Sequence, residues 1–245
     1  MNFGFSEEQD LLRSTARKFF ENECPSEKVR RLMEAPEGME PALWARLAEQ
    51  GWLGLISPEE FGGMGLGFVD LVVLMEEMGR AVVPGPYFST VVLGGLAILE
   101  AGAAAQKKEW LPKIAEGERR ATLAWMEPSA MLGPEGVTLA ASRDGDRFLL
   151  SGTKLFVHDA HTADAIVVAA RTSSGKTAEE GITLFLLPKG TAGLAVTLLP
   201  TMDQTRKLCE VTLTNVTAAA EAVMGEVGGG WKPLSRVLDR ATVAL

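Results

Sequence analysis

Apolar positions in the first half of the chain recur with helical spacing. Leu11, Leu12, Ala16, Phe19 and Phe20 share one face behind Ser6 and Gln9, which are spaced as a capping box, and Pro25 closes the segment nearby. Leu43, Trp44 and Leu47 mark a second amphipathic helix over 41–50, stopped by Gly51. Phe68, Leu71, Val72, Met75 and Met78 mark a third over about 67–79, and a fourth follows over about 88–101. Trp110, Leu111 and Ile114 belong to a fifth, over about 105–116.

Near residue 119 the period changes. "ATLAW" (121–125), "VTLAASR" (137–143), "RFLLSG" (147–152), "DAIVVAAR" (164–171), "GITLFLLP" (181–188), "LAVTLLP" (194–200) and "CEVTLTNV" (209–216) are short, β-branched or alternating, and punctuated by Gly, Pro, Asp or Ser. Strands at such spacing with no helical run between them predict an antiparallel sandwich or barrel rather than a parallel sheet. "RDGDR" (143–147) is a hairpin signal built on Asp144-Gly145. After "GEVGGG" (225–230) helical texture returns with Trp231, Leu234, Val237, Leu238, Ala241 and Leu245. This is either a short terminal helix packed on the preceding domain or the start of a longer one, since an apolar stripe needs a surface to cover it. The fold class is α+β: an N-terminal all-α helical domain (1–118), an antiparallel β-barrel or sandwich domain (119–228), and the start of a truncated C-terminal helical domain (229–245).

Bulk properties narrow the partners. The 245 residues carry 47% hydrophobic and 23% charged side chains, enough apolar mass for a sizeable core. A net charge of −8 argues against nucleic acid and anionic membrane as main partners. "MNFGFSEEQD" lacks the basic start and apolar core of a signal peptide, and "VVLGGLAIL" (91–99) is too short to span a bilayer. Cys24 and Cys209 form no disulfide framework or metal spacing, so a soluble protein in a reducing, cytoplasmic setting is expected.

Several motifs fail. "GGMGLG" (62–67) has neither the GxGxxG spacing nor the preceding strand of a dinucleotide loop. Phosphate-loop, HExxH and GxSxG signatures are absent, and with only His158 and His161 no conventional metal site is expected.

The order of parts carries more. "FSEEQDLLRSTARKFF", "GWLGLISPEEFGGMG", "EEMGRAVVPGPY" and "KKEWLPKIAEGERRATLA" are followed by "LAWMEPSA", "DGDRFLLSGTK", "KLFVHDA", "ADAIVVAART", "GITLFLLP" and "GEVGGGW". That succession resembles the acyl-CoA dehydrogenase family over the whole chain. The resemblance implies FAD held between the β-domain and C-terminal helices. It also implies hydride removal from the β-carbon of an acyl-CoA substrate, with a carboxylate taking the α-proton. Electrons would pass to an electron-transfer flavoprotein, and the protein would be a homo- or hetero-oligomer.

The resemblance places two cofactor-binding segments. Trp125 and Met126 precede Glu127-Pro128, where the family has a threonine before Glu-Pro, and Leu132 falls where it has a serine that contacts a cofactor phosphate. Phe156, Val157 and His158 correspond to the family's Trp-Ile-Thr/Ser triplet. Phe156 is thus either a pocket wall or a core aromatic, and His158 either a flavin contact or a solvent-facing loop residue. Hydroxyl donors are lost at Met126 and Leu132, and the indole cover shrinks to a phenyl ring. A minority of the family places its catalytic base just before an arginine on the first C-terminal helix; here that pair is Asp239 and Arg240, the latter near the acyl-CoA. The alternative for Asp239 is an ordinary surface carboxylate. This polypeptide alone is expected to bind FAD weakly with little or no dehydrogenase activity. Two other readings stay open: a non-catalytic partner subunit of a heteromeric dehydrogenase acting on bulky CoA esters, and a flavin monooxygenase or oxidase of the same fold.

Overall fold

The structure is a computed structural model that describes residues 4–245. The reading of the first ten residues rests partly on Met1, Asn2 and Phe3, which lie outside the described residues. Helix α1 (Glu7–Glu23) starts at the expected capping box: Gln9 N–H donates to Ser6 Oγ, and the Gln9 side chain accepts from Ser6 N–H at 3.1 Å. The helix ends at Glu23, just before Pro25 as expected, but a further helix that the apolar period did not show starts directly after that proline. Pro25 caps α2 (Ser26–Glu34), a short helix that buries only Val29 and Leu32. Helices α3 (Pro41–Glu49) and α4 (Phe68–Arg80) fall where the apolar period placed them. The expected helix over 88–101 is instead a π-helical segment, Phe88–Gly95, running into α5 (Leu96–Ala101). Helix α6 (Ala104–Ala115) completes the helical region.

Eight strands follow: β1 (Ala121–Ala124), β2 (Ala140–Asp144), β3 (Arg147–His158), β4 (Ala165–Arg171), β5 (Ile182–Pro188), β6 (Leu194–Leu198), β7 (Leu208–Ala218) and β8 (Val223–Met224). Their order is β6-β7-β3-β2-β4-β5-β8, with β1 beside β4. Most pairings are antiparallel, but β1 runs parallel to β4, and β2 meets β4 in parallel at Ala140 and Arg171, so the sheet is mixed. The 143–147 hairpin forms with Asp144 opposite Arg147 and Gly145 at φ 64°, a conformation glycine takes without a Cβ penalty. Helix α7 (Trp231–Ala244) ends the described chain.

Strand periodicity sorts side chains between two cores. On β4, Ala165, Val167 and Ala169 join a core shared with the helices, whereas Ile166, Val168 and Ala170 join a second core inside the folded sheet. On β5, Ile182, Leu184 and Leu186 face the helices, and Phe185 and Leu187 the inner core. Both strands are therefore buried on both faces, which explains their near-continuous apolar sequences. The first core also takes Leu234, Val237, Ala241 and Ala244 of α7, so the helical region, one sheet face and the last helix pack as one body.

The π-helical segment sits close on β1. A Cβ built on Gly94 would lie 2.5 Å from the Ala121 carbonyl carbon and 2.7 Å from its Cβ. Because the obstruction is backbone, Gly94→Ala is expected to destabilise by about 1–3 kcal/mol in urea unfolding, as overpacking does.

Candidate functional site

Strand β3 is built to display one residue. Phe148, Leu150 and Lys154 point inward at even positions, yet the next inward residue is Val157. The parity changes because β3 carries one extra residue against β7: Lys154 faces Val211 and Val157 faces Cys209. This β-bulge puts Phe156 at φ 54°, a left-handed conformation that is an outlier for a bulky residue. The ring is thereby turned out of the strand and is 45% exposed.

It faces a cavity of about 440 Å³ between β3, β1, the π-helical segment and α7. Six residues singled out in the sequence line this cavity together: Trp125, Met126, Leu132, Phe156, His158 and Asp239. They come from three separate stretches of chain. The rest of the wall is mostly apolar, with Leu93, Leu123, Leu155, Trp231 and Leu238. Two residues stand apart. Val157 is buried in the inner sheet core, so its side chain does not enter the cavity. Arg240 points along α7 to Glu100 of α5, its Nη1 donating to Oε1 at 2.7 Å, and Arg236 reinforces the same carboxylate at 3.6 Å. Leu132 presents an apolar side chain that is 65% exposed, and Met126 a thioether, so neither offers a hydroxyl donor. Asp239 is exposed on α7 and has no hydrogen bond or ion pair among the described residues.

A buried ion pair lies beneath this wall. Lys154, fully buried, donates from Nζ to Glu127 Oε1 at 2.7 Å and to the Trp125 carbonyl at 3.2 Å. Glu127 also accepts the backbone N–H groups of Thr138 and Leu139, each at 2.9 Å, and the Thr138 hydroxyl. Leu155 N–H donates to the Met126 carbonyl at 2.9 Å. The 125–127 and 154–156 segments are thus clipped together by side chain and backbone. Burial pulls the Lys154 ammonium down to about 8, with Glu127 opposing. For Glu127 burial works upward, but the Lys154 charge and the hydrogen bonds prevail and hold the carboxyl below its usual range. The pair is therefore ionised at neutral pH. The sequence reading passed over it, although a lysine two positions beyond an inward-facing run (148, 150, 152) is a signal for a buried cation.

His158 is not a solvent-facing loop residue. It ends β3, its carbonyl accepts the Thr122 hydroxyl at 2.6 Å, and its ring packs edge-on to Phe88 at 5.4 Å. Burial, aided by the positive charge of Arg206, pulls its pKa from 6.5 to about 4, so the imidazole is neutral at pH 7. Between pH 6.5 and about 4 the unfolded chain binds a proton that the folded chain does not, so stability falls as the pH drops through that window. The ring is only partly enclosed, and the expected loss is on the order of 2 kcal/mol. Urea unfolding at pH 7 and pH 5 should show a smaller difference for His158→Gln than for the parent chain.

Elsewhere, the described residues contain no cluster of three or more His, Cys, Asp or Glu able to hold a metal. No helix among them is long and apolar enough to cross a membrane. Cys24 and Cys209 are both buried free thiols.

Comparison with known proteins gives this site its context. Residues 6–118 match the family model for the acyl-CoA dehydrogenase N-terminal domain, and residues 122–216 match that for the middle domain. The chain is 29% identical over 240 residues to acyl-CoA dehydrogenase FadE29 of Mycobacterium tuberculosis, covering 97% of this chain and 62% of that protein. It is 31% identical over 254 residues to mitochondrial isovaleryl-CoA dehydrogenase of Pongo abelii, covering 99% and 58%. Among solved structures, butyryl-CoA dehydrogenase from Megasphaera elsdenii superposes with a TM-score of 0.86 at 26% identity, over 100% of this chain and 65% of that one. The chain spans about three fifths of the length of the curated relatives it matches. With both family models matched across most of its residues, the chain belongs to the acyl-CoA dehydrogenase family.

Proposed function

We propose that the cavity beside Phe156 is one side of a flavin and acyl-CoA site. The complete enzyme would be an FAD-dependent acyl-CoA dehydrogenase that forms a trans-2-enoyl-CoA and hands electrons to an electron-transfer flavoprotein. The observation that carries this reading is the convergence of Trp125, Met126, Leu132, Phe156, His158 and Asp239 on one apolar slot. The donor chemistry fits a tricyclic ring. Trp125, Met126 and Phe156 offer flat or deformable apolar cover. The neutral His158 imidazole has no side-chain hydrogen-bond partner among the described residues, leaving one N–H donor and one acceptor free. A bound flavin supplies the two-electron acceptor for hydride.

The protein's own groups would do the rest. Phe156 and Trp125 would keep water from the reacting carbons. Asp239, which lines the α7 side of the slot and has no ion pair among the described residues, would take the α-proton onto a carboxylate oxygen. Arg240 can meet the acyl-CoA only by leaving Glu100. A second reading, a non-catalytic partner subunit acting with a competent chain on bulky CoA esters, is favoured by one feature: Met126 and Leu132 bring no hydroxyl to the wall.

Flavin fluorescence titration tests the main reading. The isolated chain is expected to bind FAD saturably but weakly, with little acyl-CoA-driven dye reduction. His158→Leu should weaken binding about tenfold, the worth of one lost hydrogen bond. A titration without saturation, or one that His158→Leu leaves unchanged, would overturn the proposed site. Stoichiometric flavin with rapid turnover would overturn the expectation that this chain alone is inactive. Co-purification of a homologous flavin-bearing chain would favour the second reading.

A further inference from the structure

We propose a second binding site on the far side of the Phe88–His158 wall, a cleft that takes a short-chain carboxylate with Arg206 as its counter-ion. The cleft holds about 170 Å³ and lies between the C-terminal end of α4 and the loop joining β6 to β7. Phe88 and His158 line both this cleft and the larger cavity, so the edge-on pair is a partition between the two.

Arg206 is the reason to expect an anion. Its guanidinium lies over the Phe88 ring, 5.2 Å from the centroid, and its buried Nη1 has no hydrogen-bond partner. No described carboxylate forms an ion pair with it. The carboxylate that also lines the cleft, Asp159, is engaged elsewhere: Ser89 Oγ donates to its Oδ2 at 2.7 Å. Burial pushes the Asp159 pKa up, which weakens it further as a counter-ion. The other titratable groups lining the cleft are both neutral: the His158 imidazole, and the Tyr87 hydroxyl, whose pKa burial pushes up. A half-buried cation with one buried, idle donor is costly, and a carboxylate is the planar anion its fork matches.

The remaining wall sets the rest of the ligand. Met75, Met78 and Val83 give an apolar lining that suits a hydrocarbon tail. A cavity of about 150 Å³ can admit benzene, so this one has room for roughly six heavy atoms, the size of butyrate. The backbone is strained around the same cleft. Val82 and Asp159 both stand at φ 49°, and a β-branched residue there is an outlier that persists only where its surroundings enforce it.

The test uses sodium butyrate against butyramide, its neutral counterpart, read by calorimetric titration and by the thermal midpoint at constant ionic strength. Butyrate should bind saturably, at least tenfold more tightly than butyramide and roughly tenfold more tightly than acetate, which buries two fewer methylenes. Arg206→Gln should remove the preference for the charged ligand. Gly79→Leu provides an arm that does not disturb the cation. Gly79 lines the cleft on α4, nothing lies within 4 Å of a Cβ built there, and leucine is the better helix former. Its side chain should block the cleft, abolish butyrate binding and leave the fold intact. Equal binding of butyrate and butyramide, or undiminished butyrate binding by either variant, would overturn the proposal.

Discussion

Glu127→Leu is expected to cost about 4 kcal/mol of folding stability, near the top of what breaking a buried ion pair costs. The change removes the counter-ion of an ammonium that is fully buried and leaves Lys154 only the Trp125 carbonyl at 3.2 Å. It also orphans the N–H groups of Thr138 and Leu139, which now reach the carboxylate at 2.9 Å. Lys154→Met is expected to cost less, about 3 kcal/mol, because the stranded carboxylate keeps those donors. The double variant should be more stable than the sum of the two losses implies, since neither charge is then left uncompensated. Urea unfolding of the four proteins checks the order. Losses under 1 kcal/mol for both single variants would show that water reaches the pair. The pH dependence has a definite sign. Glu127 titrates below its ordinary 4.5 in the folded chain, so its contribution is present above that pH and is lost as the pH falls through the lowered value.

The sequence was most legible where one periodicity ruled a whole segment. The Ser6–Gln9 box and the apolar face behind it give α1, and the doubly buried strands β4 and β5 announce themselves by composition. Legibility failed where hydrogen bonding changed without a change of side-chain type. The 88–101 run is apolar all round, so nothing in it distinguishes i→i+5 from i→i+4 bonding, and the π-helical segment went unseen. Helix α2 was missed because a nine-residue, mostly charged segment after a proline carries too few apolar positions to show a period. Parallel pairing of β1 with β4 depends on contacts between distant segments that neither strand encodes alone. At the site, resemblance to the family picked out residues 125–132, 156–158 and 239, but not which of them turn inward. Val157 goes to the core because the bulge shifts the strand by one, and the bulge is a property of β3 against β7 together. Arg206 and Asp159 could not be foreseen at all: one lies in a loop, the other beyond a strand end, and only folding brings both to the Phe88 wall.

Phe156→Gly is expected to separate stability from binding. A left-handed phenylalanine costs about 1–2 kcal/mol relative to glycine, which takes that conformation freely. Against this stands the lost contact of a ring that is already 45% exposed, and the greater freedom glycine gives the unfolded chain, about 0.5–1 kcal/mol. These terms nearly cancel, so the melting point should move by no more than a few degrees in either direction. Binding should respond quite differently. The ring is held out of β3 by the bulge and forms one side of the 440 Å³ slot, and removing it opens that side to water. Flavin affinity of the chain should fall at least tenfold, with Phe156→Leu intermediate because it keeps apolar cover without the flat face. A melting point lowered by ten degrees or more would instead make Phe156 a structural residue whose conformation serves the core. An unchanged flavin affinity would remove the bulge from the binding site. Backbone strain that persists at a half-exposed aromatic gains the fold nothing that glycine would not supply, and that imbalance is the physical reason to assign the ring to a ligand.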